Sequence, residues 1–413
     1  MKTSILVLTL SYPPSIGAAA TRIDSITSKW SEMGRDVSVV TPVPHDTKGN
    51  LYSEFANKWV EADRKDGVNV FRLKSFGSGK TLHVFRDWIR YIWFGITSLI
   101  FSLRHIRPDM IIGTSPHLFT PLSGWCIAKL QNVPFVFEVR DLYPENYAAT
   151  NDNPSWIIYN ILDLIANFLY SYSDLIVVVT PGMKDSLVKR GIDSDRVVIH
   201  TNGLNPDFYE NKADVSKPVL KNFRNEFVVM YVGSIKREHG LRIILDTAEI
   251  ISDDANNWPI VFVVIGSGSR YDSLRSEVKN RKINNVYFLG PKPKVEIPKY
   301  LAAADAALVH LIRDPLFETA LPSKIFEAMG AKLPILVGMK GDAARLVNDA
   351  EAGFIFEPES PDSLAGVIKL AYDNPDLLTH QSKNSEETGR RHFDWKTIAG
   401  EYLQDLHRLI SKN

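Results

Sequence analysis

The stretch RDPLFETALPSKIFEAMG, residues Arg313–Gly330, decides the fold of this 413-residue chain. It lies between two apolar runs, Asp305–His310 and Pro334–Gly338, which have the length of buried strands. Pro322 and Ser323 stand where a helix begins, because proline is favoured in a first helical turn. The stretch therefore predicts a strand–loop–helix–strand crossover of a parallel sheet.

Glu327 falls about one turn inside this predicted helix. The free N–H groups and the positive dipole end of a helix N-terminus suit a diphosphate. A carboxylate one turn further in can accept hydrogen bonds from both hydroxyls of a ribose. From this stretch two interpretations stay open, a nucleotide site or a well-formed helix start that binds nothing.

Apolar, β-branched runs alternate with helical patterns in two series along the chain. The first series is Ser4–Leu10, Asp36–Thr41, Asn69–Leu73, Met110–Gly113, Pro134–Val139, Leu175–Thr180 and Val197–His200. The second series is Phe227–Tyr231, Ile260–Ile265, Val286–Leu289, Ala306–Val309, Ile335–Val337 and Phe354–Phe356. Runs without polar alternation are buried on both faces, as in parallel sheets flanked by helices. We therefore predict an α/β protein with two doubly wound, Rossmann-like domains that face a central cleft.

The polar, proline-containing segment Leu204–Arg224 separates the two series. We place the first domain at residues 1–205 and the second at 206–390, followed by a helical segment, 391–413, that packs back toward the first domain. Ligands of doubly wound sheets bind at the carboxyl ends of the strands, so the candidate residues are those that follow the apolar runs.

The composition argues against several classes of protein. Lys+Arg and Asp+Glu number 48 each, so nothing points to nucleic acid. The single cysteine, Cys126, excludes an internal disulfide framework and a cysteine zinc site. Asp193-Ser194-Asp195 fits a turn better than a metal site. No secretion signal is evident and no run reaches the ~20 apolar residues of a membrane span, so we expect a cytoplasmic protein without metal or other cofactor.

Short motifs occur along the chain in a characteristic order, and they resemble those of glycosyltransferase family 4, retaining enzymes with the GT-B fold. The likeness is closest to bacterial transferases that add amino-deoxysugars to O-antigen and capsule, and it covers nearly the whole chain. The motifs are Tyr12-Pro13-Pro14 with Gly17, Val139–Glu145, Thr201–Leu204, Tyr231–Gly233 with Gly240-Leu241, Gly266–Gly268, Val286–Gly290 and Pro322–Met329.

The resemblance implies transfer of a sugar, with retention, from a nucleoside diphosphate, expected to be UDP, to a lipid-linked or oligosaccharide acceptor of bacterial surface polysaccharide biosynthesis. Glu327 would bind the ribose, Lys324 the diphosphate and the backbone at Gly290 the base. The full set of donor-binding residues that it implies is Gly17, Gly233, Ser234, Lys236, Gly266, Gly268, Gly290, Thr319, Leu321, Pro322, Ser323, Lys324 and Glu327.

The chain departs from the family pattern at three donor positions. Ser234 and His239 stand where the family usually has an arginine and a lysine that meet the diphosphate. Thr319 stands eight positions before Glu327, where the family usually has a second glutamate, and Glu318 is one place early. The donor-sugar role therefore falls to Glu318, Thr319 or the backbone amides of the loop.

In the first domain, Arg140 and Asp141 follow the run Pro134–Val139 at the position of the family's catalytic residue. Arg140 would stabilise developing negative charge, while Asp141 or Glu145 would orient the acceptor hydroxyl. His117 is a further candidate for lining the acceptor site. A salt-bridged strand end without a catalytic role is the alternative.

The segment Trp88–Arg107, WIRYIWFGITSLIFSLRHIR, is rich in apolar and aromatic residues between arginines. It is too short to span a bilayer, but this composition suits the headgroup region of an anionic membrane. We predict peripheral membrane contact through Trp93, Phe94 and Phe101, with the apolar helix Trp156–Tyr172 beside them. The alternative is a core helix packed on the sheet.

Two other functions remain open from the sequence. The departures at Ser234, His239 and Thr319 would fit a non-catalytic sugar-nucleotide-binding or scaffold protein. A sugar-nucleotide epimerase with the GT-B fold is a weaker alternative.

Overall fold

The structure is a computed structural model that describes residues 3–15, 17–45, 51–76, 83–151, 153–204, 223, 225–256 and 258–412. The predicted domain bound between residues 205 and 206 lies outside the described residues. The chain divides into two compact units. Unit 1 contains Met1–Thr201 and Trp395–Asn413, and unit 2 contains Asn202–Asp394.

Among the described residues, unit 1 is built on an eight-stranded sheet with the order β3-β4-β2-β1-β5-β6-β7-β8. Its strands are β1 Ser4–Leu8, β2 Asp36–Pro42, β3 Val60–Lys65, β4 Val68–Leu73, β5 Met110–Thr114, β6 Phe135–Val139, β7 Leu175–Val178 and β8 Val197–Ile199. Apart from β3, the strands pair in parallel and match the first predicted series to within two residues at each end. The predicted doubly wound α/β class is therefore confirmed.

The sequence prediction missed β3, which pairs antiparallel with β4 at the edge of the sheet. Its sequence, VEADRK, is polar, because an edge strand of an antiparallel pair does not need two buried faces. The hairpin turn, Asp66-Gly67, has φ values of 50° and 79°. An Asp-Gly pair is a strong hairpin signal, so this strand could have been recognised from its turn.

The helices of unit 1 form two layers. They are α1 Ala18–Glu32, α2 His83–His105, α3 Phe119–Gln131, α4 Glu145–Thr150, α5 Trp156–Tyr172 and α6 Pro181–Lys189. Right-handed crossovers toward β8 place α2, α3 and α5 on one face of the sheet, and the crossover from β1 to β2 places α1 on the other. α3 contacts both α2 and α5, so these three helices form one continuous layer.

Unit 2 is built on a parallel sheet whose six strands, among the residues described, have the order β11-β10-β9-β12-β13-β14. They are β9 Phe227–Val232, β10 Ile260–Ile265, β11 Val286–Gly290, β12 Ala306–His310, β13 Ile335–Gly338 and β14 Gly353–Ile355. Strand order reverses between β9 and β12, and such a switch point opens a crevice at the carboxyl ends of the two strands. The same reversal occurs in unit 1 between β1 and β5.

Helices cover both faces of the second sheet. They are α7 Arg242–Ser252, α8 Tyr271–Arg281, α9 Ile297–Leu301, α10 Ser323–Gly330, α11 Asp342–Asp349, α12 Pro361–Asp373 and α13 Pro375–His392. The last helix of the chain, α14 Trp395–Lys412, belongs to unit 1 and packs against α1. There the indole of Trp30 donates a hydrogen bond to the carbonyl of Ala399 at 2.9 Å.

A buried polar network connects α1, β6 and α14. Arg22 Nε lies 3.1 Å from Glu138 Oε1, and both side chains are 1% exposed. The Tyr402 hydroxyl donates to the other oxygen of Glu138 at 3.3 Å. Removing one partner would leave a buried charge uncompensated, so this network ties the terminal helix to the sheet of unit 1.

Candidate active site

Lys324 lies at the start of α10, in the crevice between β9 and β12. Its ammonium sits 5.2 Å from the ring centre of Tyr231 on β9. A Cβ at Gly233 would come within 2.4 Å of Lys324 Cε, so the glycine leaves the room that the lysine side chain occupies. Burial lowers the pKa of Lys324 to about 8, although Glu327 and Glu238 oppose the shift. The lysine is thus an ammonium held where an anion would stabilise it.

Glu327 follows Lys324 by one helical turn on α10. Its side chain is partly buried. Burial raises its pKa, and the cations of Lys324 and Lys294 act in the opposite direction. No side chain caps α10, whose first residues are Ser323 and Lys324 after Pro322. The helix therefore presents open N–H groups, an ammonium and an acceptor carboxylate in one place.

Gly266 and Gly268, which follow β10, lie against the backbone of the loop that follows β9. A Cβ at Gly266 would lie 1.8 Å from the carbonyl oxygen of Gly233, and one at Gly268 would lie 2.2 Å from that of Ile235. Ile235 N–H donates to the Ser267 carbonyl at 2.9 Å. These glycines allow two backbones to touch, so their role in the structure is to shape the loop that follows β9. Gly290, with φ 71°, ends β11 and its carbonyl accepts from Gly266 N–H.

The loop from Gly233 to Gly240 carries the residues that depart from the family pattern. Ser234 is exposed, and its carbonyl accepts from the Tyr231 hydroxyl at 2.6 Å. Lys236 is exposed and lies 4.0 Å from Glu238. The sequence prediction gave His239 no role, yet its Nδ1 is buried and has no hydrogen-bond partner among the described residues. Burial and the nearby cations Lys324 and Lys236 lower the pKa of His239 to about 3.

The loop between β12 and α10 contains the predicted donor-sugar residues. The Thr319 hydroxyl donates to the Leu316 carbonyl at 2.8 Å, which closes a local turn. Glu318 is exposed and lines a cavity of 210 Å³ together with Arg313 and Lys340. Leu321 packs against the core below α10. Of the two side chains named for the donor sugar, Glu318 is the exposed one and Thr319 is partly buried.

Gly341 holds this loop in place and was not predicted. A Cβ there would lie 1.9 Å from the Glu318 carbonyl oxygen and 2.8 Å from Glu318 Cα, and its φ is 71°. Only glycine permits this approach in that backbone conformation. In the sequence, the sole signal is a glycine just after β13.

In unit 1, Arg140 follows β6 and is fixed by the strand end next to it. Its Nε donates to the Ser115 carbonyl at 3.0 Å, Nη2 donates to the same oxygen, and its backbone N–H donates to Ser115 Oγ at 2.8 Å. Nη1 is buried and has no partner among the residues described. The guanidinium therefore keeps one donor available beside Asp141.

The two carboxylates predicted to orient the acceptor have different surroundings. Asp141 Oδ1 accepts from Asn146 Nδ2 at 3.0 Å, and burial raises its pKa against the influence of Arg140. Glu145 is instead ion-paired with Arg190, which also contacts Asp163 at 3.9 Å. Because this pair already engages Glu145, we retain Asp141 as the candidate for the acceptor.

Two further predicted residues lie at strand ends of unit 1. His117 follows β5 and stacks on Tyr91 with ring centres 3.5 Å apart. Burial, with Arg90 and Arg140 nearby, lowers the pKa of His117 to about 3, so it is neutral at pH 7. Gly17 precedes α1 with φ 136°, and no described atom lies within 4 Å of the place a Cβ would take. The start of α1 is thus open.

The described ranges contain neither a candidate metal site nor a helix that could span a membrane. No group of three or more His, Cys, Asp and Glu side chains there is arranged to hold a metal ion. Asp193 instead accepts a hydrogen bond from Asp195 N–H in a local turn. Over the same ranges, no helix has the length and apolar character needed to cross a membrane.

The apolar segment predicted to contact the membrane forms most of α2, which exposes a different side from the one we expected. Phe94 and Phe101 are buried, at 2% and 8% exposure, and Trp93 donates to the Lys74 carbonyl at 3.0 Å. The choice of Phe94 and Phe101 as lipid contacts was therefore wrong, because α2 turns these two side chains toward the protein, whereas Trp93 is partly exposed. Its outer side carries a stripe of exposed isoleucines, Ile89, Ile92, Ile96 and Ile100.

Comparison with known proteins agrees with this architecture. The profile described as "Glycosyl transferase 4-like domain" matches residues 17–203, and the one described as "Glycosyl transferases group 1" matches residues 213–388. The chain is 20% identical to the putative colanic acid biosynthesis glycosyl transferase WcaI of Escherichia coli K12, over 97% of this chain and 99% of that protein.

Two further similarities bear on the site. An Escherichia coli protein described as UDP-Gal:alpha-D-GlcNAc-diphosphoundecaprenol alpha-1,3-galactosyltransferase is 23% identical, over 64% of this chain and 67% of its own. The structure of Anabaena HepE in complex with UDP-glucose superposes with a TM-score of 0.71 at 17% identity, covering 98% and 99% of the two chains. Because the two profiles between them match most of the chain, and the fold is shared, the chain belongs to the group 1 glycosyltransferases, transferase enzymes with the GT-B fold.

Proposed function

We propose that this glycosyltransferase moves a sugar, with retention of configuration, from a UDP-sugar to a lipid-linked acceptor in bacterial surface polysaccharide biosynthesis. The observation that carries the proposal is the arrangement of Lys324 over Gly233, with Glu327 one turn along the same uncapped helix. The alternatives of a scaffold protein and an epimerase are not retained, because the chain belongs to a family of transferases.

A nucleoside diphosphate suits this arrangement. The ammonium of Lys324 and the free N–H groups of α10 would meet the diphosphate, and the Glu327 carboxylate would accept hydrogen bonds from the ribose hydroxyls. Uracil as the base is supported by relatives, since HepE was solved with UDP-glucose and the galactosyltransferase is named for UDP-Gal. We assign the donor sugar to the loop that carries Glu318.

The proposed reaction depends mainly on stabilisation of the negative charge that develops on the diphosphate. The acceptor oxygen forms a bond to the anomeric carbon on the face from which the diphosphate leaves. The breaking C–O bond returns its electron pair to the diphosphate oxygen, which takes the acceptor proton. In unit 2, Lys324 would donate to the negative charge of the diphosphate. In unit 1, Arg140, whose buried Nη1 has no partner among the described residues, would stabilise negative charge, and Asp141 would orient the acceptor hydroxyl. We propose that no resident metal takes part.

A lipid-linked acceptor is supported by relatives and by the surface of unit 1. The galactosyltransferase is named for an acceptor linked to diphosphoundecaprenol, and WcaI is named for colanic acid biosynthesis. Substrates of this kind lie at a membrane, where a transferase would meet the cytoplasmic leaflet.

The layer of α2, α3 and α5 presents an apolar outer face. Besides the α2 isoleucines, α5 exposes Leu164 by 72% and Trp156 by 76%, together with Ile157, Ile161 and Tyr172. We call these residues of α2 and α5 the apolar face. Exposed groups of this extent mark an interaction surface.

The charges around this face favour an anionic membrane as its partner. Arg104 and Arg107 are exposed at the end of α2, and Lys129 is exposed at the end of α3. Gln131 of α3 donates to the Ile106 carbonyl, which brings the two helix ends together. Neither Trp88–Arg107 nor α3 contains an acidic residue. Apolar insertion combined with cationic attraction is the pattern of a peripheral membrane surface.

Transfer is tested with UDP-glucose, UDP-galactose and UDP-N-acetylglucosamine in anionic vesicles that contain polyprenyl-diphosphate-linked sugar. We expect UDP release from one donor only when acceptor is present, an unchanged rate in EDTA, and a product with the donor's anomeric configuration by NMR. Absence of turnover with every pair, or an inverted product, would contradict the proposal.

Membrane contact is tested by sedimentation with vesicles of anionic phospholipid. Ile96→Ser with Leu164→Ser should lower the partition coefficient by about tenfold or more, because burial of each of these exposed side chains in the membrane contributes on the order of 1 kcal/mol. The matched control is Leu370→Ser with Leu377→Ser, two exposed leucines of unit 2. Equal sedimentation of both double variants would remove the apolar face from the proposal.

A further inference from the structure

His310 is the last residue of β12 and is 1% exposed. Its Nδ1 lies 2.8 Å from the carbonyl oxygen of His239, in the loop after β9. Its Nε2 accepts from the backbone N–H of Glu359, beyond β14, at 3.1 Å. One imidazole thus bonds to the backbones of two loops that are far apart in sequence.

These two bonds fix the state of the ring. The His239 carbonyl only accepts, so Nδ1 must carry the proton, and the Glu359 N–H only donates, so Nε2 must be bare. Burial lowers the pKa of His310, which favours this neutral form. The ring also stacks on Phe356, with an interplanar angle of 7°, so it has little freedom to turn.

Both loops also bond to the start of the loop that leads from β12 to α10. The backbone carbonyl of Glu238, next to His239, accepts from Ile312 N–H at 3.0 Å, and the Glu359 carboxylate accepts from Arg313 N–H at 2.9 Å. Ile312 and Arg313 begin the loop that carries Glu318. His310 therefore stands where the loop after β9 and the loop before α10 are held against each other.

We infer that His310 is a positioning residue for donor binding, whose neutral imidazole sets the Gly233–Gly240 loop at the place where the diphosphate binds. Its two hydrogen bonds have different tasks. The bond to the His239 carbonyl holds the diphosphate loop, and the bond from Glu359 N–H holds the start of the Glu318 loop. The inference rests on the proposed donor site in unit 2.

Three variants separate the two bonds. His310→Phe keeps the ring shape and loses both bonds. His310→Asn can place its amide N–H near the Nδ1 position, and His310→Gln can place its carbonyl near the Nε2 position. We expect the Kd for UDP by calorimetry to rise about 10-fold in the Phe and Gln variants and by less than about 3-fold in the Asn variant. The Kd for uridine should change by less than about 2-fold in all three.

A merely structural histidine would behave differently. The matched control is His200→Phe, which removes a buried histidine bonded to Asp405 in unit 1 and should lower thermal stability without changing UDP affinity. Hydrogen exchange on the ligand-free protein is the second readout, with faster exchange at the Glu359 amide expected in the Phe and Asn variants.

The outcomes distinguish this inference from the proposed function. If wild type does not bind UDP, the proposed donor site fails, while the exchange data still test the bond between the Glu359 N–H and His310. Unchanged UDP affinity in a folded His310→Phe protein, or equal UDP affinities in the Asn and Gln variants, would overturn the positioning role.

Discussion

Replacing Lys324 by methionine should separate the diphosphate contribution from the rest of donor binding. Lys324→Met keeps most of the side-chain volume over Gly233 and removes the charge. In the ligand-free protein the pKa of Lys324 falls from 10.5 to about 8, equivalent to about 3 kcal/mol of disfavoured charge. A bound diphosphate supplies the missing countercharge. Hydrogen bonds to charged groups contribute about 1.5–3 kcal/mol, so UDP affinity should fall about 10- to 150-fold while uridine affinity stays nearly constant.

The pKa of Lys324 also predicts how UDP affinity changes with pH. Below pH 8 the lysine is already charged before UDP binds, so UDP affinity is at its maximum there. Above pH 8 the free lysine loses its proton, and binding must take one up, because the diphosphate raises the lysine pKa again. From pH 7 to pH 9 the wild-type Kd for UDP should therefore rise by up to about tenfold, and that of Lys324→Met should not change.

Calorimetry with UDP and uridine at both pH values measures these quantities. Lys299→Met, which removes an exposed lysine of α9, is the control for loss of a positive charge from unit 2. The reasoning is refuted if Lys324→Met binds UDP as well as wild type, or if it weakens UDP and uridine equally. A wild-type pH response that persists in the methionine variant would show that another group titrates.

Three other predictions concern single residues or pairs. Glu327→Ala should weaken UDP and uridine alike by about 1–3 kcal/mol through lost hydrogen bonds to ribose, and unchanged affinities in calorimetry would remove that role. Gly341→Ala should lower the melting temperature and the kcat/KM for sugar transfer, because its Cβ would lie 1.9 Å from the Glu318 carbonyl oxygen. The control is Gly366→Ala on α12, where a Cβ meets no atom within 4 Å, and its free energy of unfolding should rise by up to about 1 kcal/mol. Arg22→Met should lower the free energy of unfolding, measured with urea, by about 3–5 kcal/mol, because the buried Glu138 carboxylate is then uncompensated. Adding Glu138→Leu should recover part of that loss, since it removes this carboxylate.

The predicted donor residues are divided by the structure into two groups. Lys324 and Glu327 lie on one short helix, so their relation follows from helical spacing and could be predicted from the sequence. Gly266 and Gly268 were predicted as donor contacts, yet their missing side chains make room for the backbone of Gly233 and Ile235. That difference depends on which two strand ends meet, which the local sequence does not contain.

The apolar face shows a similar division. The spacing of Ile89, Ile92, Ile96 and Ile100 is helical and visible in the sequence, as is the apolar character of the whole segment. Packing of α2 on α3 and on the sheet decides which side of α2 is covered, and this packing buries Phe94 and Phe101. A helix that is apolar on most sides carries no pattern that reveals its buried side.

By itself, the sequence determined the two series of buried strands, the α/β class and the placement of Lys324 and Glu327 on one helix, because strand burial and helical spacing are local patterns of side-chain type. Only the tertiary structure decided the pairing of Glu145 with Arg190, the approach of Gly341 to Glu318 and the two bonds of His310. Each of these joins residues tens of positions apart, and such contacts exist only after the strands have taken their order in the sheet. Their physical basis is the geometry of neighbouring strand ends, and no local pattern encodes it.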